Sequence, residues 1–429
     1  MWSKVLFLFV SLGVSASALD TVSSPLRLHA FHRFQLVGNL LHENDDQRIP
    51  SRSKRQVITG GHFPKNRWEN GIVPYHFHSS ISHSVAAKIR EGFKFWEDNT
   101  CVRFQENGYG STRLRFYRGH GCDSPVGKIY SLKDQDVSIG PGCEPFGVVT
   151  HEIAHALGFY HEQTRYDRDD YVTVNMDNIQ KRWKGSFEKK TPGNTTNYGL
   201  PYDYGSNMQY SEDTFAINKD IPVITAKDPL HQHTMGQRAA PSFLDVLMMN
   251  KHYQCLGRCK TYNTVCYNQG YPNPNNCYKC ICPWGFGGDR CDRRDSGRNN
   301  TVACGGELDA TTEWKTLEAT VGSYAVEVNR HDHCHWHIRA PQGRRILVRA
   351  DELEAQCEHS CFWRNVEFKL QADLRLSGYR MCCNKHGQGQ QLWSDTNLAI
   401  ISAYARSVTY TIRISYRHSK QKSSDNINS

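Results

Sequence analysis

The segment HEIAHALGFYHE, residues 151–162, constrains the fold of this 429-residue chain more than any other stretch. On a helix, His151 and His155 stand four residues apart, so both imidazoles project from one face and can bind one ion. Glu152 lies beside them, where it can orient and deprotonate a water molecule on that ion. The spacing therefore predicts a buried helix that carries a metal site together with its own catalytic base.

The predicted helix ends at Gly158. Gly158 can adopt the left-handed conformation that turns the chain, which would bring His161 to the same metal from outside the helix. Three neutral nitrogens leave one coordination position open, as in catalytic zinc sites, whereas structural sites fill all four positions, usually with cysteines. No cysteine lies between Cys143 and Cys255. We expect one catalytic Zn²⁺ per chain; a chance match on a solvated helix is the alternative, and the length of the HExxHxxGxxHE pattern argues against it.

The longer run HEIAHALGFYHEQTRYDRDDYV resembles the signature of the astacin family of zinc endopeptidases, which are metzincins. The resemblance includes Glu162, which follows the third histidine, and a downstream methionine turn, YGSNMQY, at residues 204–210. It implies that Met208 lies beneath the zinc and that Tyr210 lies beside it and stabilises the oxyanion. The family usually has His where this chain has Gln209. Because that residue is not a family metal ligand, we expect altered packing or pocket lining here, with the chemistry retained.

The amino-terminal region predicts secretion and proteolytic activation. Residues 1–18 combine a lysine, the apolar run VLFLFVSLGV and a small-residue end, which is typical of a signal peptide. The apolar run is too short to span a bilayer, so no membrane anchor is expected. Residues 19–55 are polar and end in a basic cluster at Arg55, which indicates a propeptide removed by a processing protease.

The resemblance to astacins also bears on latency and maturation. It implies that a propeptide Asp in an FxGD-like segment occupies the zinc; the nearest match here is LVGN, in which Asn39 replaces the carboxylate. His42 or Glu43 could substitute as the ligand, or the segment could be an unrelated linker. The resemblance further implies that the new amino terminus is buried and linked to Glu162. A terminus at Gln56 would be a few residues longer than this requires, so either further trimming occurs or the anchor is looser.

The predicted fold class is α+β, with a two-lobed catalytic domain at residues 56–255 around a cleft. Alternating and helical apolar periodicities favour a mixed sheet and the zinc helix in the first lobe, and an irregular second lobe rich in Gly, Pro and Asn. The expected elements are strands at residues 68–77, 102–104, 114–117 and 127–131, and helices at residues 82–97, from about 146, and at 242–253.

All sixteen cysteines follow residue 100, a pattern that predicts disulfides in a secreted chain. The resemblance to astacins implies the pairs Cys101–Cys255 and Cys122–Cys143 in the catalytic domain. Residues 256–292 contain CICPWGFGGDRC and resemble an EGF-like domain, a module too small to fold without its bridges. A cysteine zinc knuckle is the competing interpretation, and the secreted context argues against it. The six disulfide-forming residues of this module are Cys259, Cys266, Cys277, Cys280, Cys282 and Cys291.

The carboxy-terminal region, residues 304–417, alternates in β fashion and resembles a CUB domain, which is a β-sandwich. The resemblance rests on the CGG, CHWHIRAP and SGYRMCC segments. The family often has Asp where this chain has Asn365, which argues against calcium binding. Residues 418–429 are polar and predict a disordered tail. The remaining disulfide-forming residues are Cys304, Cys334, Cys357, Cys361, Cys382 and Cys383, and the pairing among the last four stays open.

These features predict a secreted zinc endopeptidase whose partners are protein substrates. The domain order resembles that of nematode astacins associated with cuticle, eggshell and moulting, which implies matrix proteins as substrates. The net charge of +9 carries little weight, and no nucleic-acid partner is expected for a disulfide-rich secreted chain. Asn194 and Asn299 begin glycosylation sequons. Two alternatives remain: an inactive scaffold that binds through its EGF-like and CUB modules, and a structural matrix component. The intact metal site argues against the first, and the propeptide argues against the second.

Overall fold

The structure, a computed structural model, describes residues 57–59, 63–298, 303–322, 332–353, 357–406 and 408–419. The predicted signal peptide and propeptide, with Asn39 and Arg55, lie outside the described residues, as do the sequon residue Asn299 and the tail from residue 420. Among the helices that are described, none combines the length and the apolar character needed to cross a bilayer.

The first lobe is built on a five-stranded mixed sheet with the order β2-β1-β3-β5-β4, in which only β4 runs antiparallel to its neighbour. Side chains that alternate along these strands, such as Leu114 and Phe116, are fully buried in the core of the lobe. The strands are β1 (Ile72–Phe77), β2 (Arg103–Glu106), β3 (Arg113–Tyr117), β4 (Cys122–Asp123) and β5 (Asp134–Ile139).

Three helices accompany this sheet: α1 (His83–Asn99), α2 (Phe146–Ala156) and α3 (Phe243–His252). Helix α1 begins at Ser82, whose side chain accepts a hydrogen bond from the Val85 amide. Its apolar stripe packs on α2, where a Cβ at Gly92 would approach Val149 Cγ1 to 2.8 Å, so the two helices cross closely at that glycine. Helix α3 starts with a capping box between Ser242 and Asp245.

The predicted strand at residues 127–131 is wrong, because this segment is a loop. Gly127 has φ of +73°. Its amide donates to the His155 carbonyl on α2, and the Lys128 amide donates to the Asn66 carbonyl, so these amides do not form the ladder of a strand. The next strand of the sheet is β5, immediately downstream, which pairs with β3 on one side and β4 on the other. The first strand also starts later than predicted, because residues Glu69–Gly71 form a turn before β1.

The second lobe has little regular structure, in agreement with its composition. A two-stranded sheet of β6 (Val172–Val174) and β7 (Ile224–Ala226) is surrounded by short 3-10 turns. A separate apolar cluster, which includes Phe187, Tyr210 and Phe215, forms its core.

The small module after the catalytic domain is held by three disulfides, Cys259–Cys277, Cys266–Cys280 and Cys282–Cys291. It contains two hairpins, β8 (Tyr271–Asn273) with β9 (Asn276–Ile281), and β10 (Phe286–Gly287) with β11 (Arg293–Arg294). Asn275, in the tight turn of the first hairpin, donates to the carbonyls of Glu97 and Thr100 at the end of α1. The module is therefore docked on the first lobe.

The carboxy-terminal region is a sandwich of two sheets, with the orders β12-β14-β19-β16-β17 and β13-β20-β15-β18. Its core lies between the sheets and includes Ile338, Phe368 and Ile412. The predicted architecture of two-lobed domain, disulfide-rich module and CUB-like β-sandwich is thus confirmed. The strands are β12 (Gly305–Asp309), β13 (Lys315–Gly322), β14 (Asp332–Arg339), β15 (Ile346–Leu353), β16 (Arg364–Lys369), β17 (Tyr379–Met381), β18 (Gln391–Trp393), β19 (Leu398–Ala405) and β20 (Thr409–His418).

The other cysteines are all paired. In the catalytic domain the pairs are Cys101–Cys255 and Cys122–Cys143, the two that the resemblance implied. The sandwich has Cys304–Cys334, Cys357–Cys383 and Cys361–Cys382, which settles the pairing that the sequence left open.

Candidate metal centre

Three histidines meet at the boundary between the two lobes. His151 and His155 lie one turn apart on the buried helix α2, and Gly158, with φ of +113°, turns the chain so that His161 faces them. The Nε2 atoms lie 3.0 Å apart between His155 and His151, 3.2 Å between His155 and His161, and 3.3 Å between His161 and His151. The structure thus brings together the three residues that the sequence predicts as metal ligands.

Backbone carbonyls orient two of these rings. His151 Nδ1 donates to the Asn207 carbonyl at 2.8 Å, and His155 Nδ1 donates to the Phe159 carbonyl at 2.7 Å. A carbonyl oxygen can only accept, so the proton sits on Nδ1 and the lone pair of Nε2 points to the centre. Burial lowers the pKa of His155 to about 4, which keeps that ring neutral.

This arrangement fits a zinc ion. Zinc binds imidazole nitrogen at about 2.0–2.1 Å in tetrahedral geometry, which places neighbouring ligand atoms about 3.3–3.4 Å apart. The three Nε2 separations are close to that value. Three imidazole nitrogen donors with no carboxylate or thiolate are also the donor set of a zinc site that keeps a position for substrate.

Glu152 and Tyr210 lie at the same centre. Glu152 follows the first ligand on α2 and is 1% exposed. The ring of Tyr210 lies 4.2 Å from the His161 ring, between centroids, and contacts Phe187 on its other side. The Tyr210 amide donates to Gln163 Oε1, so the main chain is fixed beside the third ligand. Tyr210 therefore lies next to the third ligand, and Glu152 follows the first ligand on the same buried helix.

The methionine turn is hydrogen-bonded to the segments that carry the ligands. Met208 is 1% exposed, and its carbonyl accepts the Glu162 amide at 2.9 Å, which joins the turn to the segment of the third ligand. The carboxylate of Asp245, on α3, accepts from the Ser206 hydroxyl and from the Asn207 amide. Helix α3 therefore fixes the carbonyl that orients His151.

Gln209, the departure from the usual family residue, is fully buried in this turn. Its Oε1 accepts the Tyr202 hydroxyl at 2.5 Å, and its Nε2 donates to the Tyr210 carbonyl at 3.1 Å. The side chain thus contributes to the packing of the turn beside Tyr210 and is not directed at the three ligands.

The carboxylate of Glu162 has partners within the second lobe. Its Oε1 accepts the Asp203 amide at 3.1 Å and lies 3.2 Å from Arg165 Nη1, and both charged side chains are 2% exposed. Burial raises the pKa of Glu162 to about 8, and the positive charge of Arg165 opposes this rise. Whether an amino terminus at Gln56 also reaches this carboxylate lies outside the described residues.

Sequence reasoning missed Arg238, which is also part of this region. Its guanidinium is buried and donates to the Gln209 carbonyl at 3.0 Å. Burial lowers its pKa to about 10, and the charges of Tyr210 and Glu152 act in the opposite direction. No spacing rule connects residue 238 to the zinc helix, since only the tertiary fold brings them together.

The β-sandwich contacts the catalytic domain next to the methionine turn. The Ser377 amide donates to Asp203 Oδ1 at 3.2 Å, and a Cβ at Gly205 would lie only 2.3 Å from Ser377 Oγ. Thr234 Oγ1 donates to the Gly378 carbonyl at 3.3 Å. The sandwich therefore packs directly on the segment that supports the zinc ligands.

Comparisons with known proteins agree with this site. The profile of the peptidase family described as Astacin matches residues 61–254. Zinc metalloproteinase nas-27 of Caenorhabditis elegans is 35% identical over 396 residues, which are 89% of this chain and 91% of that protein. Zinc metalloproteinase nas-31 of the same nematode is 36% identical, over 81% of this chain and 56% of that protein. This chain thus spans about half the length of nas-31 but most of nas-27.

Among solved structures, the comparison finds High choriolytic enzyme 1, a hatching enzyme zinc-protease from Oryzias latipes (Medaka fish). It aligns with a TM-score of 0.41 at 34% identity, over 44% of this chain and 92% of that chain.

Proposed function

Because this chain belongs to the astacin family of zinc metalloproteinases, we propose that it is made as a secreted zymogen and cleaves extracellular proteins once activated. The observation that carries the proposal is the convergence of three histidine Nε2 atoms at zinc spacing, with Glu152 next to the first ligand on α2.

The residues around the centre take separate roles in peptide hydrolysis. Zinc bound here supplies Lewis-acid chemistry, since it acidifies water and polarises the peptide carbonyl. Glu152 accepts the proton of the attacking water and returns it to the leaving amine. The Tyr210 hydroxyl donates to the oxyanion that develops on the carbonyl oxygen. Met208 and Glu162 hold the backbone behind the ligands in place.

Activation by cleavage after Arg55 is supported by the residues that follow it. Val57 is fully buried and forms a bridge with Phe159, and the Ile58 amide donates to the Gly158 carbonyl at 3.1 Å. The Thr59 amide donates to the Asn194 carbonyl at 2.6 Å. Residues 57–59 therefore belong to the folded catalytic domain, which supports a cut on the amino-terminal side of this segment.

We infer that the substrates are matrix proteins of the extracellular space. The disulfides agree with an oxidising compartment. The accessory module and sandwich, assigned here as EGF-like (residues 256–292) and CUB (residues 304–417) domains, pack beside the catalytic domain and add surface for large protein substrates. Asn194 lies in a partly exposed turn, which is compatible with glycosylation there.

The substitution Glu152→Ala tests the proposal. It removes the proton acceptor and leaves all three nitrogen ligands, so the processed variant should keep its zinc while its rate of protein hydrolysis falls by about 10²- to 10⁴-fold. Glu91→Ala, at an exposed position on α1, is the matched control and should be as active as the unmodified enzyme. A zinc-loaded Glu152→Ala protein with full activity would overturn the assignment.

The substrate class needs a separate measurement. Extracellular matrix is incubated with the active enzyme or with the Glu152→Ala variant, and new protein amino termini are identified by mass spectrometry. Cleavage products specific to the active enzyme should come from matrix proteins; an enzyme that hydrolyses a soluble test peptide but yields no such products from the matrix would contradict this part of the proposal.

A further inference from the structure

Strand β14 carries three histidines on the face of its sheet that points away from the sandwich core. Side chains alternate along a strand, so His333, His335 and His337 share one face, while Cys334 and Trp336 point into the core. His337 Nε2 donates to the Gly285 carbonyl at 2.9 Å, so this face lies against the EGF-like module.

Two of these histidines form a cluster with a carboxylate. One potential ligand atom from each of Asp295, His333 and His335 lies within 4.8 Å of the other two. Asp295 is held in position because its amide donates to the Gly285 carbonyl and its Oδ1 accepts the Gly297 amide. His335 Nδ1 lies 2.7 Å from Ser402 Oγ on the neighbouring strand, which fixes the orientation of its ring.

The cluster lines a cavity of about 450 Å³ at the junction of all three parts of the chain. Phe95 and Phe146 of the catalytic domain, Trp284 and Phe286 of the EGF-like module, and Tyr404 of the sandwich form its walls. Tyr404 is 6% exposed, and within the described residues its hydroxyl lies near Ser402 but makes no hydrogen bond of ordinary geometry. A buried hydroxyl in the wall of a cavity is a group that a bound ligand or water would satisfy.

We propose that Asp295, His333 and His335 bind a second divalent transition-metal ion, with zinc as the ion that their chemistry favours. Two imidazoles and one carboxylate form a common zinc donor set, whereas calcium takes oxygen ligands. Two histidines separated by one residue on a strand present their rings on the same side. The ligand atoms lie within 4.8 Å of one another, and tetrahedral zinc requires about 3.3 Å, so metal binding involves a small adjustment of the part-exposed side chains of Asp295 and His333.

Charge at the site limits what completes the coordination. Arg298 lines the same cavity, and its positive charge opposes a cation but attracts an anion. The remaining position on the metal therefore takes an anionic ligand, such as chloride or a carboxylate. Because Asp295 precedes the sandwich and both histidines lie within it, the metal crosslinks the connection between the EGF-like module and the sandwich.

Metal counting on the full processed chain tests this site. All proteins carry Glu152→Gln to prevent self-digestion, are stripped with a chelator, and are titrated with zinc against a coloured competitor. The protein with the unmodified cluster should bind two zinc ions per chain, one at each site. The Asp295→Asn and His333→Ala variants should each bind one. His337→Gln, on the same face of the same strand but outside the cluster, is the matched control and should bind two.

A second readout separates metal binding from misfolding. Zinc beyond the first equivalent should raise the thermal unfolding temperature of the parent and of His337→Gln, and should not raise that of the near-isosteric Asp295→Asn. The proposal would be overturned if every protein, including the parent, bound one zinc ion per chain. It would also be overturned if Asp295→Asn and His333→Ala both still bound two. A protein that binds no zinc would contradict the catalytic site as well, so the two failures are distinguishable.

Discussion

At the residue scale, the zinc ligands depend on carbonyl groups from separate parts of the chain. His151 is oriented by Asn207 in the methionine turn, and His155 by Phe159 just after the glycine turn. These hydrogen bonds fix the tautomer that exposes each Nε2. A substitution that moves either carbonyl therefore changes metal affinity without touching a ligand.

The role of Tyr210 can be separated from its packing by Tyr210→Phe. The phenylalanine ring keeps the contacts with His161 and Phe187 but has no hydroxyl to donate to the oxyanion. We expect kcat to fall by about 10²- to 10³-fold, with KM and zinc content nearly unchanged, because the lost interaction forms only in the transition state. A rise in KM at constant kcat would instead assign the tyrosine to substrate binding.

The sequence predicted the ligands because their spacing is local, on one helix and one turn. It could not predict Arg238, which reaches the same centre from a position 83 to 87 residues beyond the ligands on α2. The bond from Ser377 to Asp203 spans 174 residues and joins two domains. Such pairs result from how the domains pack, which no periodic pattern in one segment records.

At the element scale, helix α2 is held by a close contact in its first turn. A Cβ on Gly147 would lie 2.0 Å from the carbonyl oxygen of Arg238, which is backbone and cannot move aside cheaply. The Gly147 carbonyl also accepts a hydrogen bond from Asn207 Nδ2 at 2.8 Å. The position of the zinc helix relative to the methionine turn therefore depends on the absence of a side chain here.

The substitution Gly147→Ala should lower the free energy of unfolding by about 1–3 kcal/mol, because overpacking displaces backbone. It should also weaken zinc binding, since the helix carries two ligands. Chemical unfolding and zinc titration measure the two effects. Gly257→Ala, where nothing lies within 4 Å of the added carbon, serves as the control. Equal stability of the two variants would show that the contact is not tight in solution.

The helices could be predicted because their apolar periodicity is long, and both α1 and α3 begin within one residue of the predicted start. The false strand at residues 127–131 shows the limit of this reasoning. Its short apolar alternation has strand character, but its amides are paired to the Asn66 and His155 carbonyls in the completed fold. Tertiary hydrogen bonds override weak local preference in so short a segment.

At the scale of the whole molecule, the interface between the second lobe and the sandwich contains a buried histidine. The His231 ring stacks on Tyr204, with centroids 4.3 Å apart, and contacts Tyr379 of the sandwich at 4.5 Å. Burial lowers its pKa to about 3, and the negative charge of Glu367 opposes the shift. In the folded protein this ring is therefore neutral at physiological pH.

This histidine predicts loss of stability in acid. Between pH 6.5 and 3 the unfolded chain binds a proton at His231 and the folded chain does not, so the free energy of unfolding falls as the pH falls through this window. Above pH 6.5 the residue contributes no pH dependence. His231→Phe keeps the stacking and should reduce the pH dependence of the urea unfolding midpoint between pH 7 and 5. His78→Gln, at an exposed position, should leave this pH dependence unchanged. An unchanged slope in His231→Phe would exclude His231 as the source.

The backbone pairing of residues 57–59 bears on how long the enzyme would survive outside the cell if it is secreted and cut after Arg55, as proposed above. Val57 pairs with Phe159, whose carbonyl orients His155, so the start of the catalytic domain is only two contacts from the metal. Chain ends are preferred sites of proteolysis. An aminopeptidase that removes the first few residues would loosen a zinc ligand while leaving every disulfide and surface loop intact. The working lifetime of this enzyme is therefore expected to depend on proteolytic trimming of its amino terminus. Activity would be lost through metal release before any global unfolding.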